Sequence, residues 1–200
     1  MSIKRMLFDL LVKTKEAIGK LENWPQFVVW NVHRGKNLHL RGLLRITNYG
    51  EIEIGDNVSI NSNLESSELG FYPKTILHTS QTGKIVVGDN SGLSNVCINS
   101  RNMVKIGKNV RLGAGVKLYD NDFHDLSKTV DGKDPGEIPS KPIIIDDDVF
   151  VGAGSIVLKG VHIRGGAVIG AGSVVTKEIP ENEVWAGNPA KFIKRIERRK

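Results

Sequence analysis

The sequence predicts an all-β solenoid, and three observations carry that prediction. From Ile145 to Ile179 aliphatic side chains recur every six residues, at Ile145, Val151, Val157, Ile163, Ile169 and Val175. The fourth residue after each is small or aliphatic: Val149, Ser155, Val161, Ala167, Ser173 and Ile179. Glycines follow the aliphatic position at Gly152 and Gly170, where the chain must turn and where their conformational freedom is of use. A period of six scatters around a lone helix and does not match the two-residue alternation of a free-standing sheet. It suits short strands and turns wound into a coil, each rung burying its aliphatic residue against the rungs above and below.

The 200 residues suffice for one main domain with appendages, and the hydrophobic content of 40% is that of an ordinary globular chain. The formal charge of +6 is concentrated at the two ends, in Lys4, Arg5, Lys13, Lys15 and Lys20 and again from Lys191 to Lys200. Such clusters are either a solvated surface or a site for a phosphorylated small ligand. No aromatic-basic stripe or nucleic-acid motif accompanies them, which argues against nucleic acid. The single cysteine, Cys97, allows no internal disulfide and fits a reducing cytoplasm. No apolar run approaches the roughly 18 residues of a spanning helix, and Asp9 and Lys13 interrupt any signal-peptide core.

Residues 2–21 read as an amphipathic helix, with Ile3, Met6, Leu7, Leu10, Leu11, Ile18 and Leu21 at helical spacing. Its apolar face is expected to dock on the coil, with peripheral membrane association as the alternative. Pro25 closes the segment, and Trp24, Phe27, Val28, Val29 and Trp30 form a connector, so residues 1–37 make one unit. The coil follows over residues 38–188. Early in it a phrase recurs: Gly50-Glu51-Ile52-Glu53-Ile54-Gly55-Asp56-Asn57, Gly83-Lys84-Ile85-Val86-Val87-Gly88-Asp89-Asn90 and Met103-Val104-Lys105-Ile106-Gly107-Lys108-Asn109. Uneven separations between the phrases predict insertions, one of them over residues 66–82 with His78 inside it. Roughly seven turns at about 4.8 Å each would give a prism about 34 Å long. A second insertion, residues 119–142, interrupts the hexads with Tyr119-Asp120-Asn121-Asp122-Phe123-His124-Asp125 and several Gly and Pro. Long loops inside compact solenoids are usually functional or disordered. Residues 189–200, with Phe192, Ile193 and Ile196 apolar among bases, read as a short C-terminal helix closing the open end.

Three stretches resemble the hexapeptide-repeat acyltransferases: Ile145-Asp146-Asp147-Asp148-Val149-Phe150-Val151-Gly152-Ala153-Gly154, Ile169-Gly170-Ala171-Gly172-Ser173-Val174-Val175-Thr176-Lys177 and Ala186-Gly187-Asn188-Pro189-Ala190-Lys191. Within that superfamily the chain looks like the branch of maltose, galactoside, xenobiotic and capsule or lipopolysaccharide O-acetyltransferases. The resemblance implies a left-handed parallel β-helix, an exception to the usual right-handed crossover, a homotrimer, and acetyl-CoA lying between neighbouring prisms. It also implies a sugar or glycan acceptor and no metal. Repeats alone would imply a solenoid and no chemistry.

Moving an acetyl group from a thioester to a hydroxyl needs a base for the hydroxyl proton, a task suited to neutral imidazole. Relatives carry their catalytic histidine in this extended loop, where His124 is the only histidine. A carboxylate would orient its ring; Asp120, Asp122 and Asp125 are all near in sequence, spacing does not choose among them, and Asp122 joins His124 as the candidate pair. His33, His39, His78 and His162 occupy less suitable places, and Cys97 sits at a packing position, so direct transfer is expected rather than a covalent route.

For the cofactor, the resemblance assigns Phe150 as a hydrophobic wall and the Ala153 N–H as an oxyanion donor. It assigns Ala171 as room for the pantetheine arm, and Thr176, Lys177, Lys191 and Lys194 to the nucleotide end. Trp185 either stacks on adenine or caps the last rung, the second being preferred. N-acetylation of an amino sugar needs the same base and cofactor and is the nearest alternative. Zinc chemistry on the same prism needs a His-x4-His pair that this chain lacks, while a non-catalytic trimeric scaffold would need neither His124 nor acetyl-CoA.

Overall fold

The computed structural model describes residues 3–63, 74–125 and 138–197. Three parallel sheets form the faces of the coil, and the chain visits them in rotation. The first stacks β1 (His33–Arg34), β4 (Glu51–Ile54), β7 (Lys84–Val87), β10 (Met103–Ile106), β13 (Ile143–Ile145) and β16 (His162–Ile163). The second holds β2 (His39–Arg41), β5 (Ser59–Asn61), β8 (Gly92–Ser94), β11 (Arg111–Leu112), β14 (Phe150–Val151), β17 (Val168–Ile169), β19 (Glu183–Ala186) and β20 (Lys191–Arg195). The third holds β3 (Arg45–Asn48), β6 (Ile76–Thr79), β9 (Cys97–Ser100), β12 (Lys117–Tyr119), β15 (Ile156–Leu158) and β18 (Val174–Val175). The first and third faces each carry six strands and the second carries seven parallel ones from β2 to β19, in keeping with the roughly seven turns the repeats suggest. The hexad positions behave as expected: Ile145, Val151, Val157, Ile163, Ile169 and Val175 are all buried, as are Val149, Val161, Ala167 and Ile179. Polar members are satisfied inside, since Ser155 Oγ and Ser173 Oγ both donate to the Gly170 carbonyl, at 3.0 and 2.6 Å.

The recurring Gly-Asp-Asn phrase turns the chain from the first face to the second. Asn57, Asn90 and Asn109 all adopt left-handed backbone, with φ of 56°, 58° and 57°, which asparagine tolerates best after glycine. Their amides form a ladder: Asn37 Nδ2 donates to Asn57 Oδ1 and Asn57 Nδ2 to Asn90 Oδ1, at 3.1 and 3.2 Å. The preceding aspartates accept backbone N–H groups from the neighbouring coil, Asp89 Oδ1 from Asp56 N and Asp147 Oδ1 from Lys108 N. Gly88 is needed for closeness: a Cβ there would stand 2.5 Å from the Gly107 backbone. Gly88→Ala should therefore force adjacent coils apart at about 1–3 kcal/mol and lower the thermal midpoint by several degrees. An unchanged melting curve would show that the coils can separate without cost.

Three expectations are corrected. Helix α1 runs Ile3–Val29 with Pro25 inside it, not over residues 2–21 with Pro25 as its end. It stops at Asn31, which turns left-handed at φ 47° while Val32 N donates to Phe27 O and Asn31 N to Val28 O. The face of α1 that meets the coil is not the apolar one. What the first coil offers is an unpaired strand edge, and amide side chains answer it: Asn23 Oδ1 accepts from Leu44 N at 2.8 Å, its Nδ2 donates to Gly42 O, and Gln26 bridges Leu44 O and Ile46 N. Met6, Leu10, Leu11, Ile18, Leu21 and Trp24 point away from the prism and are exposed.

The second correction concerns the expected insertion over 66–82. His78 lies on β6, in register with Thr47 and Asn99, so that insertion ends before Thr75; residues 64–73 lie outside the described residues. The third is at the C-terminus, where no helix forms over residues 189–197. Instead β20 returns antiparallel along β19 and closes the edge of the second sheet, pairing Lys191 with Ala186. Residues 198–200 lie outside the described part. Trp185 is buried beneath this strand, its Nε1–H donating to Glu183 at 2.9 Å and its ring edge-on to Phe192, so it caps the last rung rather than stacking on a ligand. Among the described residues no helix is long and apolar enough to cross a membrane.

Candidate active site

The loop that interrupts the hexads leaves the corner between the third and first faces, after β12. Its root is built on Asp120, which is fully buried and accepts Arg101 N at 2.8 Å, Asn102 N at 2.9 Å and Asn121 Nδ2 at 3.0 Å, with Ser100 Oγ 2.8 Å away. Arg101 and Asn102 turn the same corner one coil earlier, so the carboxylate ties the loop root to the coil beneath. The returning strand closes the neck, with Lys141 N donating to Asp120 O at 2.9 Å and Asp122 N to Pro139 O at 3.1 Å. Residues 126–137, which include most of the predicted Gly- and Pro-rich tract, lie outside the described residues.

Beyond the neck the chain reverses at Phe123, whose φ of 63° is costly for a bulky residue. Two contacts hold it there: Phe123 N donates to Asn121 Oδ1 at 2.9 Å, and its ring meets Tyr119 edge-on at 5.1 Å. The reversal lifts His124 into solvent, its own N–H donating to the Asp122 carbonyl at 2.7 Å. Asp122 is the candidate orienting carboxylate, and both its oxygens meet Lys159 Nζ from the corner one coil further on. Of the other candidates, Asp120 is occupied as an anchor. Strained backbone of this kind concentrates at functional positions.

The cofactor candidates lie elsewhere on the surface. Phe150 stands on the outer side of β14 and is 47% exposed, in register with Arg111 and Val168 on the neighbouring strands. Ala153 and Ala171 occupy successive turns from the second face to the third. The Ala153 carbonyl accepts from Gly172 N at 2.8 Å, while its N–H meets no acceptor among the described residues. Coils pass closely at these corners, since a Cβ on Gly152 would stand 2.5 Å from Ala171 N. Thr176 and Lys177 follow β18 at the third-to-first corner, and Lys177 Nζ sits 5.0 Å over the Trp185 ring. Lys191 and Lys194 are both exposed on β20. The structure therefore joins His124 to Asp122 through a backbone hydrogen bond, with the Asp122 carboxylate on Lys159, and gathers Phe150, Ala153 and Ala171 along another edge, with the third face between the two sets.

Two of the other four histidines have carboxylate neighbours: His162 Nε2 is 2.9 Å from both oxygens of Asp146, and His39 Nδ1 is 3.5 Å from Glu16. Burial pushes the Cys97 thiol up, opposed by its hydrogen bond with Tyr119, which leaves a neutral thiol with little nucleophilic character. Burial likewise raises Tyr119 to about 12. Among the described residues no three His, Cys, Asp or Glu side chains cluster as metal ligands. Sequence reasoning missed the anchoring role of Asp120 and the Lys159 partner of Asp122. Neither carries a local signal, because each contact joins different coils.

Comparison with known proteins agrees with the repeat. Residues 142–177 match the family model of the hexapeptide repeat of succinyl-transferase. Over 89 residues the chain is 38% identical to the 2,3,4,5-tetrahydropyridine-2,6-dicarboxylate N-acetyltransferase of Staphylococcus aureus, a match covering 44% of this chain and 31% of the relative. The chain thus spans under a third of the length of the curated relatives it matches. Among solved structures, a hexapeptide-repeat acetyltransferase of Vibrio cholerae complexed with acetyl coenzyme A is 27% identical, with a TM-score of 0.54 over 62% of this chain and 69% of that one. A galactoside acetyltransferase in complex with coenzyme A is 30% identical, with a TM-score of 0.53 over 70% of this chain and 64% of that one. The chain carries the hexapeptide repeat over residues 142–177 and resembles the acetyltransferases built on that repeat.

Proposed function

We propose that the chain is an acetyl-CoA-dependent O-acetyltransferase acting on a sugar hydroxyl, of a cell-surface polysaccharide or its precursor, with His124 as general base. The observation that carries this reading is the loop root: a buried carboxylate, a closed neck and a strained reversal all serve to hold one exposed histidine off the prism. His124 takes the hydroxyl proton as the acceptor oxygen bonds to the thioester carbon. The carbon–sulfur bond then breaks, and the imidazolium returns the proton to the departing thiolate. The backbone N–H of Ala153 is the donor for the developing oxyanion, with Phe150 walling the thioester end and Ala171 leaving room for the pantetheine arm. Asp122, pinned by Lys159, is the positioning residue for His124.

His124 and the Phe150–Ala153 edge stand at different corners of one prism, which favours a site shared by two copies and hence the homotrimer of left-handed β-helices that the sequence resemblance implies. Lys177, Lys191 and Lys194 supply the cationic end for the nucleotide phosphates, with the Thr176 hydroxyl beside Lys177. Lys191→Ala should weaken acetyl-CoA binding roughly tenfold while the single-turnover rate of the bound complex stays the same. Equal affinity in calorimetry would move the phosphate site elsewhere.

The test of function is release of coenzyme A thiol from acetyl-CoA across a panel of sugars and glycans. Release that needs both an acceptor and His124 supports the reading; no release and no acetyl-CoA binding would favour a scaffold. N-acetylation of an amino sugar is the second reading, favoured by the N-acetyltransferase activity named for the relative that is 38% identical. Amino sugars in the same panel separate the two.

A further inference from the structure

The outer stripe of α1 is the largest feature the proposed reaction leaves unused. Its inner side is spent on the first coil through Asn23, Gln26 and the close approach of Gly19, where a Cβ would stand 2.5 Å from Leu40 O. Its outer side presents Met6, Leu10, Ile18, Leu21 and Trp24 to solvent, with Leu21 76% and Leu10 60% exposed. A helix that turned its apolar side to its own domain would not look like this.

A cavity of about 510 Å³ opens beside this stripe, between the helix and the first turns of the coil. Trp24 belongs to both. Lys20, Arg34 and Lys36 line the cavity, Phe27 and Leu38 form its apolar part, and no carboxylate lines it among the described residues. Arg34 stacks against Trp24 and Phe27, its guanidinium carbon 5.3 and 5.6 Å from their ring centroids. Lys13 lies two turns before Lys20 on the same border of the stripe and is exposed.

We propose that α1 and this cationic cavity together form a docking surface for an anionic lipid bilayer, the helix lying in the interface with its stripe toward the acyl chains and Lys20, Arg34 and Lys36 receiving a phosphate headgroup. Charge decides between occupants. A second copy of the chain would bring the same cations to the same border, whereas an acidic membrane surface brings the opposite charge. The tryptophan at the junction suits the boundary between apolar and wet layers. The inference does not depend on the reaction assigned above.

The experiment is co-sedimentation of the full chain with phosphatidylglycerol or phosphatidylcholine vesicles at low and high salt. Binding to the acidic vesicles alone, weakening with salt, is expected. Leu10→Glu/Leu21→Glu should reduce it at least tenfold, and Lys20→Glu/Lys36→Glu should remove roughly fivefold or more per cation. All four positions are on the surface, so the thermal midpoints of both variants should match the parent. Failure to bind acidic vesicles, or a stripe variant that binds as well as the parent, overturns the proposal. If light scattering shows the stripe variant falling to a smaller oligomer while the parent ignores vesicles, a second copy covers the stripe and the proposal is wrong.

Discussion

Replacing His124 with alanine is expected to lower turnover by about 10²-fold or more while leaving acetyl-CoA affinity nearly intact. The expectation rests on where the residue stands. His124 is exposed at the outer side of a neck whose bonds are made by Asp120, Asp122, Asn121 and Lys141, so truncating its side chain removes none of these anchors. The Phe150–Ala153 edge lies at another corner and loses nothing. A general base contributes only as the hydroxyl proton moves, so the loss belongs in kcat and not in cofactor binding. Calorimetry with acetyl-CoA beside steady-state rates makes the separation. Simultaneous loss of affinity and turnover would make His124 structural, and full activity without it would remove the general-base mechanism.

The hexads were legible because a solenoid repeats its packing environment: each aliphatic residue meets an equivalent one a coil away, and that local period survives in the sequence. The Gly-Asp-Asn phrase was legible for the same reason, since a left-handed residue recurs at that corner (Asn37, Asn57, Asn90, Asn109, Asp148), preceded by aspartate at Asp56, Asp89 and Asp147 and by lysine at Lys36 and Lys108. The two ends broke the reading because they meet a different environment. Facing a strand edge instead of an apolar surface, α1 used Asn23 and Gln26, which no hydrophobic pattern marks. Phe192, Ile193 and Ile196 stand at helical spacing among basic side chains, yet the open edge of β19 gives the backbone a better partner as a strand. At the candidate site the sequence offered His124 and three aspartates without their partners. Asp120 and Asp122 differ in role because one meets the coil below and the other the coil above, a distinction that spacing within one loop does not contain.

Asp120→Ala should be the most damaging single change near the site, in stability and in rate together. The carboxylate is fully buried, and its removal leaves the Arg101 and Asn102 N–H groups without their acceptor and Ser100 Oγ and Asn121 Nδ2 each short of one. At about 1–3 kcal/mol for each unsatisfied buried group, a total loss of about 3–5 kcal/mol is reasonable. For a chain of this size that corresponds to roughly 10 °C in thermal midpoint. Asp120→Asn should recover only part of this, because one carboxylate oxygen becomes an amide that points donors at donors. The rate should fall as well, with His124 chemically intact, because a reacting group displaced by about 1 Å can lose about 10²-fold. Melting curves and turnover at a temperature where the variant is still folded test both halves. A midpoint within about 2 °C of the parent would show that the loop root is held by the neck bonds of Asp122 and Lys141 instead. A destabilised variant with normal turnover would detach the position of His124 from the anchor beneath it.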